Sequence, residues 1–206
     1  MTANMTALYD TPAQVSSVLP ELRASSFLFV DLEGRDLGCL TGALSIISIG
    51  TDKGATMLFD AVRLDQAAIA PVLELLADEH IPKFMWDGRK DAVEIRRTFA
   101  GTELKAVIDL QLVDVLSRRV HGEGEEMRVR RLTRKGHSVN AVRQLPTKDV
   151  HGLISLKNAL SEHKLRRPVL GELLRPVFAA PPMLMYFTQS GDFLLVPRTQ
   201  HGWLGR

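Results

Sequence analysis

The chain has a single cysteine, Cys39, among 206 residues. That excludes an internal disulfide and a zinc site built from cysteines, and a reducing compartment suits it. No apolar run approaches the roughly 20 residues needed to span a bilayer, so no membrane partner is expected. Residues 1–26 lack the basic start and apolar core of a secretory signal. These absences point to an intracellular protein, and nothing separates cytosol from nucleus or mitochondrion. Net charge is also small, at +2, and by itself names no partner.

What is present is an ordinary globular composition, 45% hydrophobic and 24% charged. The length suffices for one domain with a full core plus extensions. Charge is unevenly spread. From Arg118 to Lys148 there are nine Lys or Arg against three acids, Glu123, Glu125 and Glu126.

The most informative stretch is Phe27-Leu28-Phe29-Val30-Asp31-Leu32-Glu33-Gly34. Four apolar residues predict a short buried strand with two carboxylates at its end. Residues i and i+2 of a strand share a face, so Asp31 and Glu33 converge. Adjacent carboxylates repel unless something positive lies between them, and a hard divalent cation such as Mg²⁺ or Mn²⁺ fits oxygen ligands. The plainer reading is a strand running into an acidic turn closed by Gly34. Asp91 is a third acid of interest, just past the apolar stretch Phe84-Met85-Trp86 and in the first turn of an expected helix. Helix capping explains such an aspartate equally well. Asp60 and Asp109 also end expected strands, and capping explains both.

Along the chain, residues 1–20 read as an N-terminal extension with a short helix near Ala13–Val18. Residues 21–206 read as the main domain. Strands are expected at Ser26–Leu32, Gly42–Ile49, Ala55–Asp60, Pro82–Trp86 and Ala106–Asp109. Helices are expected at Gln66–Ala77, Lys90–Phe99 and from Gln111 to Arg119. Three sequential strands followed by alternating helices and strands predict an α/β sandwich. Its mixed sheet of five strands would run as an antiparallel meander and then parallel. Residues 120–148, with glycines and charge clusters, read as a basic, mobile insertion. A last helix is expected at Pro182–Gln189.

This order of elements and acids resembles the DEDD-type 3′–5′ exonuclease domain on the ribonuclease H-like fold. It is most similar to the ribonuclease D and Werner-exonuclease branch, and within it to small eukaryotic 3′–5′ exonuclease-domain proteins. Phe29–Gly34 matches the first motif, Lys83–Asp91 the second, and Arg175-Pro176-Val177 followed by Tyr186 the element before the last. The resemblance implies two Mg²⁺ or Mn²⁺ ions held by Asp31, Glu33, Asp91 and a fourth acid. It implies that Asp31 bridges both ions, that Glu33 helps orient the attacking water, and that Tyr186 positions or deprotonates it. The family's pattern places the last acid four residues after the tyrosine, where this chain has Ser190; Asp192 is the nearest acid. The family's final helix normally continues further, so a shortened or altered C-terminus is expected. Leu32 and Trp86 would help wall the terminal bases, and Arg130 and Arg131, in a basic run, would track phosphates. A buried core role for Tyr186 and Trp86, and a solvated loop or a nuclear import signal for the basic run, are the plainer readings.

The expected activity is metal-dependent removal of nucleoside 5′-monophosphates from the 3′ ends of single-stranded RNA or DNA. The alternative is a catalytically degenerate exonuclease fold, acting as a nucleic-acid-binding or protein-adapter module. An aspartyl phosphatase fits poorly, because Glu33 stands where that chemistry needs a second aspartate.

Overall fold

The structure, a computed structural model, describes residues 6–133 and 151–163, together with the backbone of strands Met183–Phe187 and Phe193–Pro197. The chain divides into two compact units. One comprises Met1–Asp109 and Pro181–Arg206, the other Leu110–Ala180.

The first unit is built on a six-stranded sheet ordered β1-β4-β3-β2-β5-β6. Its strands are β1 (Thr6–Tyr9), β2 (Leu28–Arg35), β3 (Ala43–Thr51), β4 (Thr56–Asp60), β5 (Lys83–Met85) and β6 (Val107–Asp109). β2, β3 and β4 form the antiparallel meander, while β5 and β6 extend it in parallel from β2. The sheet therefore has one strand more than expected. β1 pairs in parallel with β4, with Tyr9 opposite Phe59 and their rings stacked 5.4 Å apart. Four residues of mixed polarity are too few for a period-two signal.

Helix α1 (Pro12–Arg23) starts at a reciprocal capping box between Thr11 and Gln14, with proline in its first turn. Its buried residues Val15, Val18, Leu19 and Leu22 fall on one helical stripe. Helix α2 (Gln66–Ala77) is capped by Asp65, whose carboxylate accepts from Ala68 N–H at 2.8 Å. Both helices contribute to a core that includes Leu28, Val30 and Leu32 of β2, Ile47 and Ile49 of β3, and Met57 and Phe59 of β4. The register aligns these side chains, with Val30 opposite Ile49 and Leu32 opposite Ile47. Fully burying one such aliphatic side chain is worth about 1.5–3 kcal/mol, so this layer is the main source of the fold's stability.

Helix α3 (Arg89–Thr98) follows β5 after a turn in which Asp87 adopts φ 55°. A separate two-stranded sheet pairs β7 (Met183–Phe187) antiparallel with β8 (Phe193–Pro197), Tyr186 opposite Leu194. The helix expected at Pro182–Gln189 is therefore a strand. Short apolar runs do not distinguish helix from strand by periodicity, and two such runs five residues apart with a glycine between them are as readily a hairpin.

The second unit carries α4 (Leu110–Val120), α5 (Glu125–Thr133) and α6 (Leu156–Glu162). Part of the expected insertion is thus helical: Glu125 and Glu126 occupy the first turn of α5 and Arg130 and Arg131 the last, where each charge complements the helix dipole. Residues 134–148 of that segment lie outside the described residues.

Candidate active site

Asp31 and Glu33 lie within β2 rather than past its end, because the strand continues to Arg35. Both are exposed, while Leu28, Val30 and Leu32 alternate with them into the core. Leu32 is 4% exposed, among the apolar core residues on the opposite face of β2. It cannot wall the substrate from there; the strand's period of two corrects that expectation.

The strand bulges between Glu33 and Gly34. A Cβ on Gly34 would stand 2.2 Å from the Ala43 carbonyl oxygen, so only glycine fits. Beyond the bulge the chain turns through Asp36 and Gly38, both at positive φ, and returns as β3.

Asp91 sits in the first turn of α3 and is 8% exposed. Its carboxyl is pushed up to about 7, first by burial, then by the negative charges of Asp31, Asp87, Glu33 and Asp109. The first three acids expected of the site therefore share one local field. Asp87 and Asp109 join them, which the sequence reading missed. Asp109 does more than the capping expected of it. Its Oδ1 accepts the Asp87 N–H at 3.1 Å, tying the end of β6 to the turn before α3. Aspartates at successive strand ends of an open sheet were the available signal. Asp60, by contrast, is the turn cap expected of it, accepting from Val62 and Arg63 N–H, both at 3.0 Å. Arg89 binds the Asp87 carboxylate through Nε at 2.7 Å.

Trp86 is half-buried just past β5. Arg130 is exposed on α5 in the other unit, and Arg131 there is bonded to Glu123 at 2.5 Å and to Glu162 at 2.7 Å. An arginine so paired is already satisfied internally. Tyr186 lies on strand β7, and Asp192 lies outside the described residues.

The donor set suits a hard cation. All donors are carboxylate oxygens, and among the described residues no Lys, Arg or His side chain forms an ion pair with Asp31, Glu33 or Asp91. Among the described residues no group of three or more His, Cys, Asp or Glu side chains is placed so as to hold a metal ion. Among the described residues no helix is long and apolar enough to cross a membrane.

A 3′–5′ exonuclease family model matches residues 7–135, more than half of the chain. The chain belongs to the 3′–5′ exonuclease family. The match contains Asp31, Glu33 and Asp91, and with the sheet order it identifies a DEDD-type exonuclease domain. Escherichia coli RNase D, an exoribonuclease involved in structured RNA processing, is 18% identical with a TM-score of 0.53. The similarity covers 85% of this chain and 46% of that one. The EXO domain of Aedes aegypti Nibbler is 16% identical with a TM-score of 0.50, covering 84% and 97%. A mutant catalytic core of RRP6 from Trypanosoma brucei is 16% identical with a TM-score of 0.51, covering 87% and 52%. These likenesses carry the fold, a ribonuclease H-like α/β sheet flanked by helices. Against the Trypanosoma brucei RNase D structures the exonuclease domain spans 38%, 58% and 55% of the matched chain. A comparison of sequence with curated proteins finds no match.

Proposed function

We propose that this exonuclease domain is a metal-dependent enzyme that removes nucleoside 5′-monophosphates from the 3′ ends of single-stranded RNA or DNA. The observation that carries the reading is the family match across Asp31, Glu33 and the buried Asp91, whose carboxyl is raised to about 7 by burial and by four surrounding acids. Carboxylates crowd in this way where a cation is to neutralise them, and strongly perturbed groups cluster at functional sites.

Asp31, Glu33 and Asp91 would hold two Mg²⁺ or Mn²⁺ ions, with Asp192 as the proposed fourth acid. When bound, such ions supply a water nucleophile at neutral pH and stabilise charge on the leaving 3′ oxygen. The chain's own residues perform the remaining tasks. Asp31 and Glu33, exposed side by side on β2, face incoming substrate. Asp91, buried in the first turn of α3, would complete this carboxylate set. Tyr186 is proposed to orient the attacking water, Trp86 to stack against a terminal base, and Arg130 to contact phosphate.

A second reading, nucleic-acid or partner binding without cleavage, is favoured by one observation. The segment bearing Tyr186 is a strand, not the helix that would align it with an acid one turn later. One experiment separates the two. 5′-labelled single-stranded RNA and DNA are incubated with Mn²⁺, beside Asp31→Ala and a chelator control. A metal-dependent ladder of 3′-shortened products, absent from the variant, supports the enzyme. Binding without a ladder, unchanged in chelator, supports the binding module.

A further inference from the structure

Glu94 lies one turn beyond Asp91 on α3 and is fully buried, at 0% exposure. Its Oε2 accepts the backbone N–H of Gly38 at 3.0 Å. Its Oε1 accepts from Thr98 Oγ1 at 2.9 Å and pairs with Arg97. Arg97 Nη2 in turn donates to the Gly42 carbonyl at 2.6 Å. A buried acid and a partly exposed arginine thus grip both limbs of the turn from Asp36 to Gly42.

That turn follows β2 directly. It also lies hard against α3. A Cβ on Gly38 would meet the Lys90 backbone at 3.1 Å, and one on Gly42 would meet Asp36 O at 2.5 Å and Glu94 Oε2 at 3.0 Å. Burial disfavours charge on Glu94, but the Gly38 N–H, Arg97 and Thr98 outweigh it and hold the carboxyl below its ordinary value. Glu94 is therefore an anion at neutral pH, with both oxygens engaged.

The geometry matters because β2 carries Asp31 and Glu33 while α3 carries Asp91. Their like charges push the two elements apart, so a separate attraction must hold them in register. We infer that Glu94 and Arg97 are positioning residues, which hold Asp91 at a set separation from Asp31 and Glu33 through the Asp36–Gly42 turn. This deepens the proposed function and rests on it. Partners that orient metal-binding carboxylates typically change affinity or activity by about 10–100-fold when removed. A small misplacement of reacting groups has a similar effect on rate.

The test uses the full chain with Mn²⁺ alone as the first probe, comparing wild type, Arg97→Ala, Arg97→Lys, Glu94→Gln and Asp31→Ala. Arg97 is partly exposed, so its variants are expected to fold. Mn²⁺ affinity is read by calorimetry, Gly38 amide exchange by NMR, and kcat and KM on a labelled oligonucleotide. Arg97→Ala is expected to weaken Mn²⁺ binding and lower kcat, each by about tenfold, with KM little changed. Gly38 exchange should accelerate as the turn loosens. Arg97→Lys, which keeps the charge, should recover part of the loss. Glu94→Gln, which keeps an acceptor for Gly38, should fall between. Wild-type Mn²⁺ affinity and kcat in Arg97→Ala would overturn the inference, as would a loss of thermal stability alone. If wild type itself binds no Mn²⁺ and Asp31→Ala matches it, the reading of the site fails and the inference with it.

Discussion

The backbone N–H of Asp87 donates to Asp109 Oδ1 at 3.1 Å, joining the turn after β5 to the end of the neighbouring strand β6. This bond holds Asp87 in its left-handed conformation at φ 55° and sets where α3 begins. Residues in such regions persist only when their surroundings hold them there. Asp109→Ala should therefore destabilise the protein by about 1 kcal/mol, the usual net worth of one part-buried hydrogen bond. Asp109→Asn, which keeps the acceptor oxygen, should recover most of it. Urea unfolding of the two variants is the check; equal losses would show that the bond is not the reason.

Asp91 sets a pH dependence whose sign is fixed by the direction of its shift. Its folded value is raised, from 3.8 to about 7. Its favourable contribution is thus complete below pH 4 and is lost as pH rises through 7. Asp91→Asn removes that loss. At pH 8 without divalent metal the variant should be more stable than wild type by about 1–3 kcal/mol, allowing for solvent screening. At pH 4 the two should nearly coincide. Cleavage by the variant should be abolished at either pH. Thermal unfolding across pH 4–8 tests this, and an Asn variant less stable than wild type at pH 8 would refute it.

Lys83 behaves oppositely. It is fully buried at 0% exposure, its Nζ bonded to the Asp78 carbonyl, and burial pulls it down to about 8. A lysine depressed in the folded state contributes stability above pH 10.5 that is lost as pH falls through 8. Wild type should gain stability between pH 8 and 10 from this group. Lys83→Met should flatten that rise, and an unchanged slope in denaturant midpoints over this range would count against it.

The bulge after Glu33 makes a steric prediction. Gly34→Ala would place a methyl 2.2 Å from the Ala43 carbonyl oxygen. The backbone must shift to admit it, with a loss of about 1–3 kcal/mol. The end of β2 moves with it, so cleavage should fall more than stability predicts. Comparing kcat at a temperature where both proteins are folded separates the two effects.

The helix Gln66–Ala77 and the interest of Asp31, Glu33 and Asp91, which share one field, were legible because local periodicity and strand-end chemistry carry them. The shared face of Asp31 and Glu33 followed from their i, i+2 spacing. Strand β1 and the hairpin of β7 and β8 were not. Thr6–Tyr9 becomes a strand only because β4 offers an edge, and Met183–Phe187 only because Phe193–Pro197 pairs with it. Leu32 was assigned to the wrong side for a related reason: its neighbours in sequence are the acids, but its neighbours in space are the core.

By itself, then, the sequence determined the elements from β2 to α4 and where Asp31, Glu33 and Asp91 fall on them, since each element depends on residues within a few positions of one another. Tertiary structure alone decided that Asp87 and Asp109 join the field at Asp91 and that Glu94 and Arg97 hold the Asp36–Gly42 turn. Gly38 and Glu94 are 56 positions apart and Asp87 and Asp109 are 22 apart. Contacts at that separation come from sheet pairing and helix docking, which no local pattern encodes.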